Sequence, residues 1–415
     1  MPQTRAKSTT GFGIELPPGQ TFVPGYTIRG NVYREHRVSS SPTHNECVVS
    51  ISLHGRAKSK VIEKDSDSGN TYRGRLSLID DSKTRQILQH PTHATLGDKT
   101  ELLQWPFAIT IPTHADKSTF PRKLDWKEED SFLSLDAKLV SEEVLPPSFK
   151  SETETNMANV YAFIEYFLKA DLAVQDGVAM PRTATLPIRI MRYHSGPPIA
   201  DNEPKAEHHQ VSVATQRLLP GMQGAKLSFS QKLKDFSRHS SVPQLSFNLE
   251  VTLPSVWQFD GREPGIPLYL RAIPLWVESD ERIRNIPQVV KLTKLEIHLQ
   301  DITETRSDAK KRERGLGFFN RTFITVPEIA RSFEIPLTMS ELDKGQGSGV
   351  GRLITCMLLQ RSEVWEDSDS PLTPDTMTWN IKHWHQIKYK MTCEVAGKAV
   401  KVAGEQHLVL LPPSM

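Results

Sequence analysis

The sequence predicts an all-β protein built as two tandem antiparallel β-sandwiches. Three observations carry this. Apolar and polar residues alternate with period two through most of the long segments, the 29 prolines fall largely between those segments, and the second half repeats the pattern of the first. At 415 residues the chain is too long for one ordinary domain.

Taken in order, "GQTFVPGYTIRGNVYR" (19–34) places a turn at Pro24-Gly25 before a short strand, Tyr26, Ile28, Gly30 and Val32. A glycine inside such a strand marks a bulge or a close backbone approach. In "CVVSISLHG", Cys47, Val49, Ile51 and Leu53 share one face, with Ser50, Ser52 and His54 opposite. "YAFIEYFLKADLAV" sets Ala162, Ile164, Tyr166, Leu168, Ala170, Leu172 and Val174 against Glu165, Lys169 and Asp171. "FNLEVTLP" and "IKYKMTCEVAG" repeat the alternation with Phe247, Leu249, Val251 and Leu253, then Ile387, Tyr389, Met391, Cys393 and Val395. Each reads as a strand with one wet face. Helical periodicity is confined to "SVATQRLL" and "PEIARSFE", a turn or two each.

The polar, proline-bearing stretch "HSGPPIADNEPKAEHH" (194–209) is the natural boundary. The expected organisation is a sandwich over 1–193, a linker over 194–221 and a second sandwich over 222–415. Flexible loops are expected at 63–70, 307–315, 342–351 and 366–375. The repeat is visible in the order of pieces. A Pro-Gly turn (Pro24-Gly25, Pro264-Gly265) precedes a strand and then a longer alternating strand in both halves. "VYAFIEYFLKADLAV…RTATLPIRI" matches "HQIKYKMTCEVAG…KAVKVAGEQHLVLLPP".

The same residues carry a family resemblance. "TFVPGYTIRGNV" resembles the Tyr-x-Pro-Gly-(Asp/Glu)-x-Val-x-Gly-x-Val element of arrestin-fold N-domains, and "LLQWPFAITIP" their Pro-Phe-x-Phe-x-Leu-Pro strand. "LPPSF" with "IEYFLKADLAV" is similar to a further N-domain element; "VWQFDGREPGIPLYL" and "WHQIKYKMTCEVAGKAVKV…LVLLPP" look like the C-domain. The resemblance covers most of the chain and is to the broad α-arrestin and related fungal-type group. It implies two immunoglobulin-like sandwiches. Two departures stand out. Tyr26 replaces the acidic residue after Pro-Gly, and residues 113–144 are a longer insert before "LPPSF" than relatives carry. The buried charged cluster of visual arrestins finds no residue-by-residue match, so a phosphate-sensing switch is not carried over.

Charge and motifs narrow the function. The formal net charge is +2, from 51 basic and 49 acidic side chains, which gives no electrostatic reason to expect nucleic acid. The N-terminus has no signal-peptide core, no window offers the ~20 apolar residues of a membrane span, and the three cysteines make no disulfide framework. The chain therefore reads as cytosolic, with Cys47 and Cys393 as buried thiols. "GQGSGVGR" (345–352) lacks the Gly-Lys-Ser/Thr end of a phosphate loop, and Gln346 stands where a nucleophile elbow at Ser348 needs glycine. "KHWHQ" places His383 and His385 on one strand face without a marked third ligand, so a solvated pair is expected rather than a metal site. His208 and His209, in the linker, read the same way, and the carboxylates of "WKEED" (126–130) sit side by side rather than across a cleft. No enzyme, cofactor or metal is expected.

Binding chemistry remains. Arg5 and Lys7 stand just before the first strand, where the resemblance implies a basic groove for an extended tail. Lys310, Lys311, Arg312 and Arg314 beside Phe318 and Phe319 suit an anionic membrane surface or its phosphoinositides. Ser66, Ser68, Ser368, Ser370 and Thr373 lie in acidic loops as phosphorylation candidates. The resemblance implies an adaptor for cytoplasmic tails of membrane transporters or receptors, coupling them to ubiquitin-dependent endocytosis or sorting at plasma membrane or endosomes. Its alternative is a coat subunit like the retromer subunit with paired arrestin-like sandwiches. Many α-arrestins recruit a HECT-type ligase through Pro-Pro-x-Tyr; here the completing residues are Gln20, Phe149, Ala200 and Met415, so a ligase is expected only through a second adaptor.

Overall fold

The computed structural model describes residues 3–9, 11–37, 47–64, 70–89, 91–95, 100–116, 118, 131–154, 158–174, 182–194, 196, 203–237, 241–258, 266–284, 286–306, 317–325, 333–337, 352–356 and 373–414, the segments 317–325, 333–337 and 352–356 by backbone alone. The first half supplies β1 (Phe12–Glu15), β2 (Thr27–Arg37), β3 (Cys47–Glu63), β4 (Thr71–Ser77), β5 (Gln86–Leu88), β6 (Thr92–Thr95), β7 (Thr100–Thr110), β8 (Phe149–Glu154), β9 (Ala158–Val174) and β10 (Arg182–Ile188). The second half supplies β11 (Pro204–Ala214), β12 (Gln244–Pro254), β13 (Val256–Gln258), β14 (Ile266–Pro274), β15 (Gln288–Thr305), β16 (Gly317–Thr325), β17 (Phe333–Leu337), β18 (Arg352–Cys356), β19 (Thr376–Met377), β20 (Ile381–Val395) and β21 (Lys398–Leu411). Three short helices accompany them, α1 (Asp81–Thr84), α2 (Ala137–Val140) and α3 (Phe229–Ser237).

These strands form four sheets, two to each half. The first half orders them β1-β2-β7-β6 and β10-β9-β3-β4, with β5 on β3 and β8 on β9. The second orders them β11-β12-β14-β18 and β13-β21-β20-β15-β16, with β17 on β15 and β19 on β20. Among the described strands every pairing is antiparallel except β13 with β21. Each half encloses its own apolar core. Ile51, Leu53, Ile164 and Leu168 belong to the first, and Leu249, Leu295, Tyr389 and Met391 to the second. The alternation sets this directly, because an apolar residue at every second position gives a strand one face to bury. Pro24-Gly25 turns the chain as expected, with the Gly25 amide donating to the Ile111 carbonyl at 2.9 Å. Gly30 sits in regular register with Phe107, where a Cβ would come within 2.5 Å of the Glu15 carbonyl oxygen, so the close-approach reading applies.

Three expectations need correction. Residues 204–214, assigned to the linker, form β11 and pair along their whole length with β12, so the second sandwich begins inside that stretch. Helix α3 has no counterpart in the expected elements; Asp235 anchors it by accepting from the Thr215 hydroxyl at 2.8 Å and the Gln216 amide at 3.1 Å. His383 and His385 are buried rather than solvated.

The halves are joined through a side chain of the second. Trp379, 1% exposed, lies with Ile381 in the core of the first sandwich. Its indole donates to the Ser134 carbonyl at 2.8 Å, and its own carbonyl accepts from the Phe132 amide at 3.1 Å. Beside it, the Asn380 amide group donates to the Ser59 hydroxyl at 3.2 Å, and that hydroxyl donates to the Arg306 carbonyl at 2.6 Å. Gly74 permits this approach, since a Cβ there would fall 2.8 Å from the same carbonyl oxygen. At the far end of the seam, the His194 amide donates to the Pro413 carbonyl at 2.8 Å. Among the described residues no helix is long and apolar enough to cross a membrane.

Candidate functional site

The residues that precede β1 run beside β10, the outer strand of its sheet. Lys7 and Thr185 exchange both backbone hydrogen bonds, at 2.9 and 2.8 Å, and the Thr185 hydroxyl donates to the Arg5 carbonyl at 3.1 Å. Arg5 and Lys7 both project into solvent. One bridge is all that the described N-terminal residues contribute to this edge. Further along, Pro187 withholds a donor, a common way of blunting an exposed strand.

Thr4 turns inward and fixes the segment. Its amide donates to Oε2 of Glu165 at 2.8 Å and its hydroxyl to Oε1 at 3.1 Å. The same carboxylate takes Arg56 Nε and Lys58 Nζ, both at 2.6 Å. Glu165 was expected on a wet face, yet it is 5% exposed. Burial alone pushes its carboxyl up, but hydrogen bonds from Lys58, Thr4 and Arg56 outweigh that and hold it below the ordinary carboxylate range. Burial also lowers the Lys58 ammonium. Two cations on one buried carboxylate hold position more than they add stability.

A cleft of about 310 Å³ opens beside this clamp, lined by Thr4, Phe149, Lys150, Ile188, Arg189 and Thr373. A second hollow, about 450 Å³, lies between residues 186–189 and the end of β1, with Ile14 and Glu15 in its lining. Two residues of the first lining, Phe149 and Thr373, contact a buried histidine. The His383 ring bonds to the backbone of Thr373, meets the Thr303 hydroxyl at 3.0 Å and packs on Phe149, centroid to centroid 4.6 Å. Asp375 and His385 share a hydrogen bond of 2.6 Å. Burial raises the Asp375 carboxyl to about 7, and burial lowers the His385 imidazole to about 3. The contact between the Asp375 carboxyl and the His385 imidazole supports the strand end. Among the described residues no three His, Cys, Asp or Glu side chains are placed to hold a metal.

The fold thus gathers Arg5, Lys7 and Thr373, remote in sequence, along one border of the first sandwich. The linker histidines fall elsewhere: His209 sits on β11 and meets the Tyr389 hydroxyl at 2.6 Å, and that hydroxyl donates to Glu207 at 2.6 Å. Cys393 is buried, and burial pushes its thiol up to about 11. Lys310, Lys311, Arg312, Arg314, Ser66, Ser68, Ser368, Ser370, the 345–351 glycine run and 126–130 lie outside the described residues, and Phe318 and Phe319 are described only as backbone in β16. Sequence reasoning missed Glu165, Lys58 and Arg189. The first two signalled themselves only as charges opposite the apolar face of strong strands, a pattern that usually means solvent. No protein-family model matches the chain, and no curated protein matches it in sequence.

Proposed function

We propose that the protein is a cytosolic, non-enzymatic adaptor that takes an extended cytoplasmic tail of a membrane transporter or receptor along the β10 border. The observation that carries this reading is an outer strand, β10, whose free edge takes one bridge from the described N-terminal residues, with exposed Arg5 and Lys7 beside that bridge and Lys150 and Arg189 lining the neighbouring cleft. Extended peptides add to such edges through main-chain hydrogen bonds, and flanking cations select acidic or phosphorylated sequences. Cargo capture would bring the protein to plasma membrane or endosomes and feed ubiquitin-dependent endocytosis or sorting. A ligase would join through a second adaptor, because no Pro-Pro-x-Tyr stands in the chain.

Affinity purification of wild type and an Arg5→Ala/Lys7→Ala/Arg189→Ala variant, with and without phosphatase, tests it. Integral membrane proteins should enrich with wild type and fall away with the variant. Their absence under every condition would end the reading. A structural coat subunit is the second reading, favoured by the Trp379 join between the sandwiches, which suits a rigid scaffold. Size exclusion of native lysate separates the two: a coat subunit runs constitutively with stoichiometric partners, an adaptor mostly alone.

A further inference from the structure

Thr373 stands where the second sandwich meets the first. The chain just beyond it is held to the second sandwich. The Asp375 amide donates to the Leu410 carbonyl at 2.9 Å, and the Leu410 amide donates back to Asp375 Oδ1 at 3.1 Å. The Thr376 hydroxyl donates to the Pro374 carbonyl at 2.9 Å, and Thr376 and Met377 pair with His383 and Lys382 as β19. Pro374 fixes its own φ and disfavours a helical conformation at Thr373. Thr373 is half-buried, and its backbone meets the His383 ring, which packs on Phe149 of the first sandwich.

The first sandwich presents cations at that point. The Ser148 amide donates to the Ile190 carbonyl at 2.8 Å, and the Ile190 amide donates to the Ser148 hydroxyl at 2.9 Å, which brings Phe149 and Lys150 alongside Arg189. Thr373, Lys150 and Arg189 line the 310 Å³ cleft together. Thr373 also lines a smaller hollow, of about 20 Å³, with Arg189 and Arg192. That is room for about one water molecule, so these three residues lie within a side chain's reach of one another. Both arginines are exposed, and among the described residues neither has a carboxylate partner. Lys150 lies 3.7 Å from Glu152 in an exposed pair, which holds it weakly. The carboxylates of the same region are engaged, Glu165 by Arg56 and Lys58 and Asp375 by His385. A phosphate on Thr373 adds about two negative charges and three acceptor oxygens. Guanidinium groups take such oxygens in bidentate pairs, and here each pair joins a residue of one sandwich to a residue of the other.

We propose that Thr373 is a phosphorylation site for a proline-directed kinase, and that its phosphate, held by Arg189 and Arg192, latches the second sandwich to the first. The latch does not depend on the cargo reading, because every readout is of the chain alone. Treatment of the full chain with a proline-directed kinase in a Ser41→Ala/Ser370→Ala background tests it, since Thr373 is then the one Ser-Pro or Thr-Pro acceptor left in the sequence. Mass spectrometry should find phosphate on Thr373 of the folded chain. In phosphorus NMR an unpaired phosphothreonine takes up its second proton near pH 6, and pairing with two arginines should lower that midpoint to about pH 5. Arg189→Gln/Arg192→Gln changes exposed positions, so it should melt like the parent chain and return the midpoint to about pH 6. Hydrogen exchange over residues 148–150 and 373–377 should slow about tenfold on phosphorylation of the parent chain and stay unchanged in the double arginine variant. The proposal is overturned by a Thr373 that stays unmodified in the folded chain, by a phosphate that titrates like the unpaired one, or by a lowered midpoint that survives loss of both arginines.

Discussion

The larger sheets of the two sandwiches share a design and differ in how they dispose of charge. Around β20 the register sets Glu296 opposite Lys390, Lys291 opposite Glu394, Glu304 opposite Lys382 and Lys388 opposite Glu405. Side chains follow the register: Lys388 reaches Glu405 at 3.2 Å, and Lys294, two positions from Glu296, reaches it at 2.6 Å. That face neutralises itself, strand by strand. Around β3 the same geometry sets lysine against arginine twice and concentrates two cations on one buried glutamate. Both faces fold because each has an apolar core behind it. The lesson is that outer-face charge is free to vary once alternation has secured the inner face, and an unbalanced face is then more informative than a balanced one.

The sandwiches also differ in self-sufficiency, and the largest expected effect breaks that difference. The first borrows Trp379 from the second. Trp379→Ala should cost about 3–5 kcal/mol by emptying a buried aromatic site, read as a lower urea midpoint. Hydrogen exchange should show β3 and β9 losing protection while β12 and β14 keep it; equal loss in both would mean the halves do not divide this way.

Next comes the clamp. Glu165→Gln leaves Arg56 and Lys58 facing each other and should destabilise by about 3 kcal/mol. A Lys58→Met/Glu165→Leu double variant should recover much of it, as well-packed apolar replacements of ion pairs commonly do. The pH dependence follows from the same group. Because the folded carboxyl lies below its unfolded value of 4.5, the clamp's contribution is complete above that value and is lost as pH falls through the lower folded one. Stability measured from neutrality downward should fall more steeply for wild type than for Glu165→Gln, and parallel curves would remove the clamp from the account.

The smallest effects sharpen the comparison of faces by their sign. Arg75→Glu, which sets a carboxylate opposite Lys58, should stabilise by about 0.5 kcal/mol, whereas Lys388→Glu, opposite Glu405, should destabilise by about as much. Thermal melts of the two variants moving in the same direction would dissolve the contrast.

Much of the fold was legible in the chain. Alternation is local, so the inward positions of β3, β9, β12 and β20 could be read without any partner strand. The site was legible only in fragments. Arg5, Lys7 and Thr373 were each visible as types of residue, but the chain does not say that the first two run beside β10 or that the third lines a cleft with Thr4. His383 and His385 share the inward parity of Ile387, Tyr389 and Met391, and burial falls on every second residue of β20 from Ile381 on, so the alternation itself places both rings inside. What the chain does not show is the partners that meet them there, Thr303 for His383 and Asp375 for His385.

By itself, then, the sequence determined that this chain is a β-sheet protein with two cores, because burying every second residue is a short-range instruction. Tertiary structure alone decided which charges meet. Lys58 faces Arg75, Glu165 gathers Arg56, Lys58 and Thr4, and Trp379 leaves its own half for the other, since register and docking depend on contacts between residues far apart in the chain.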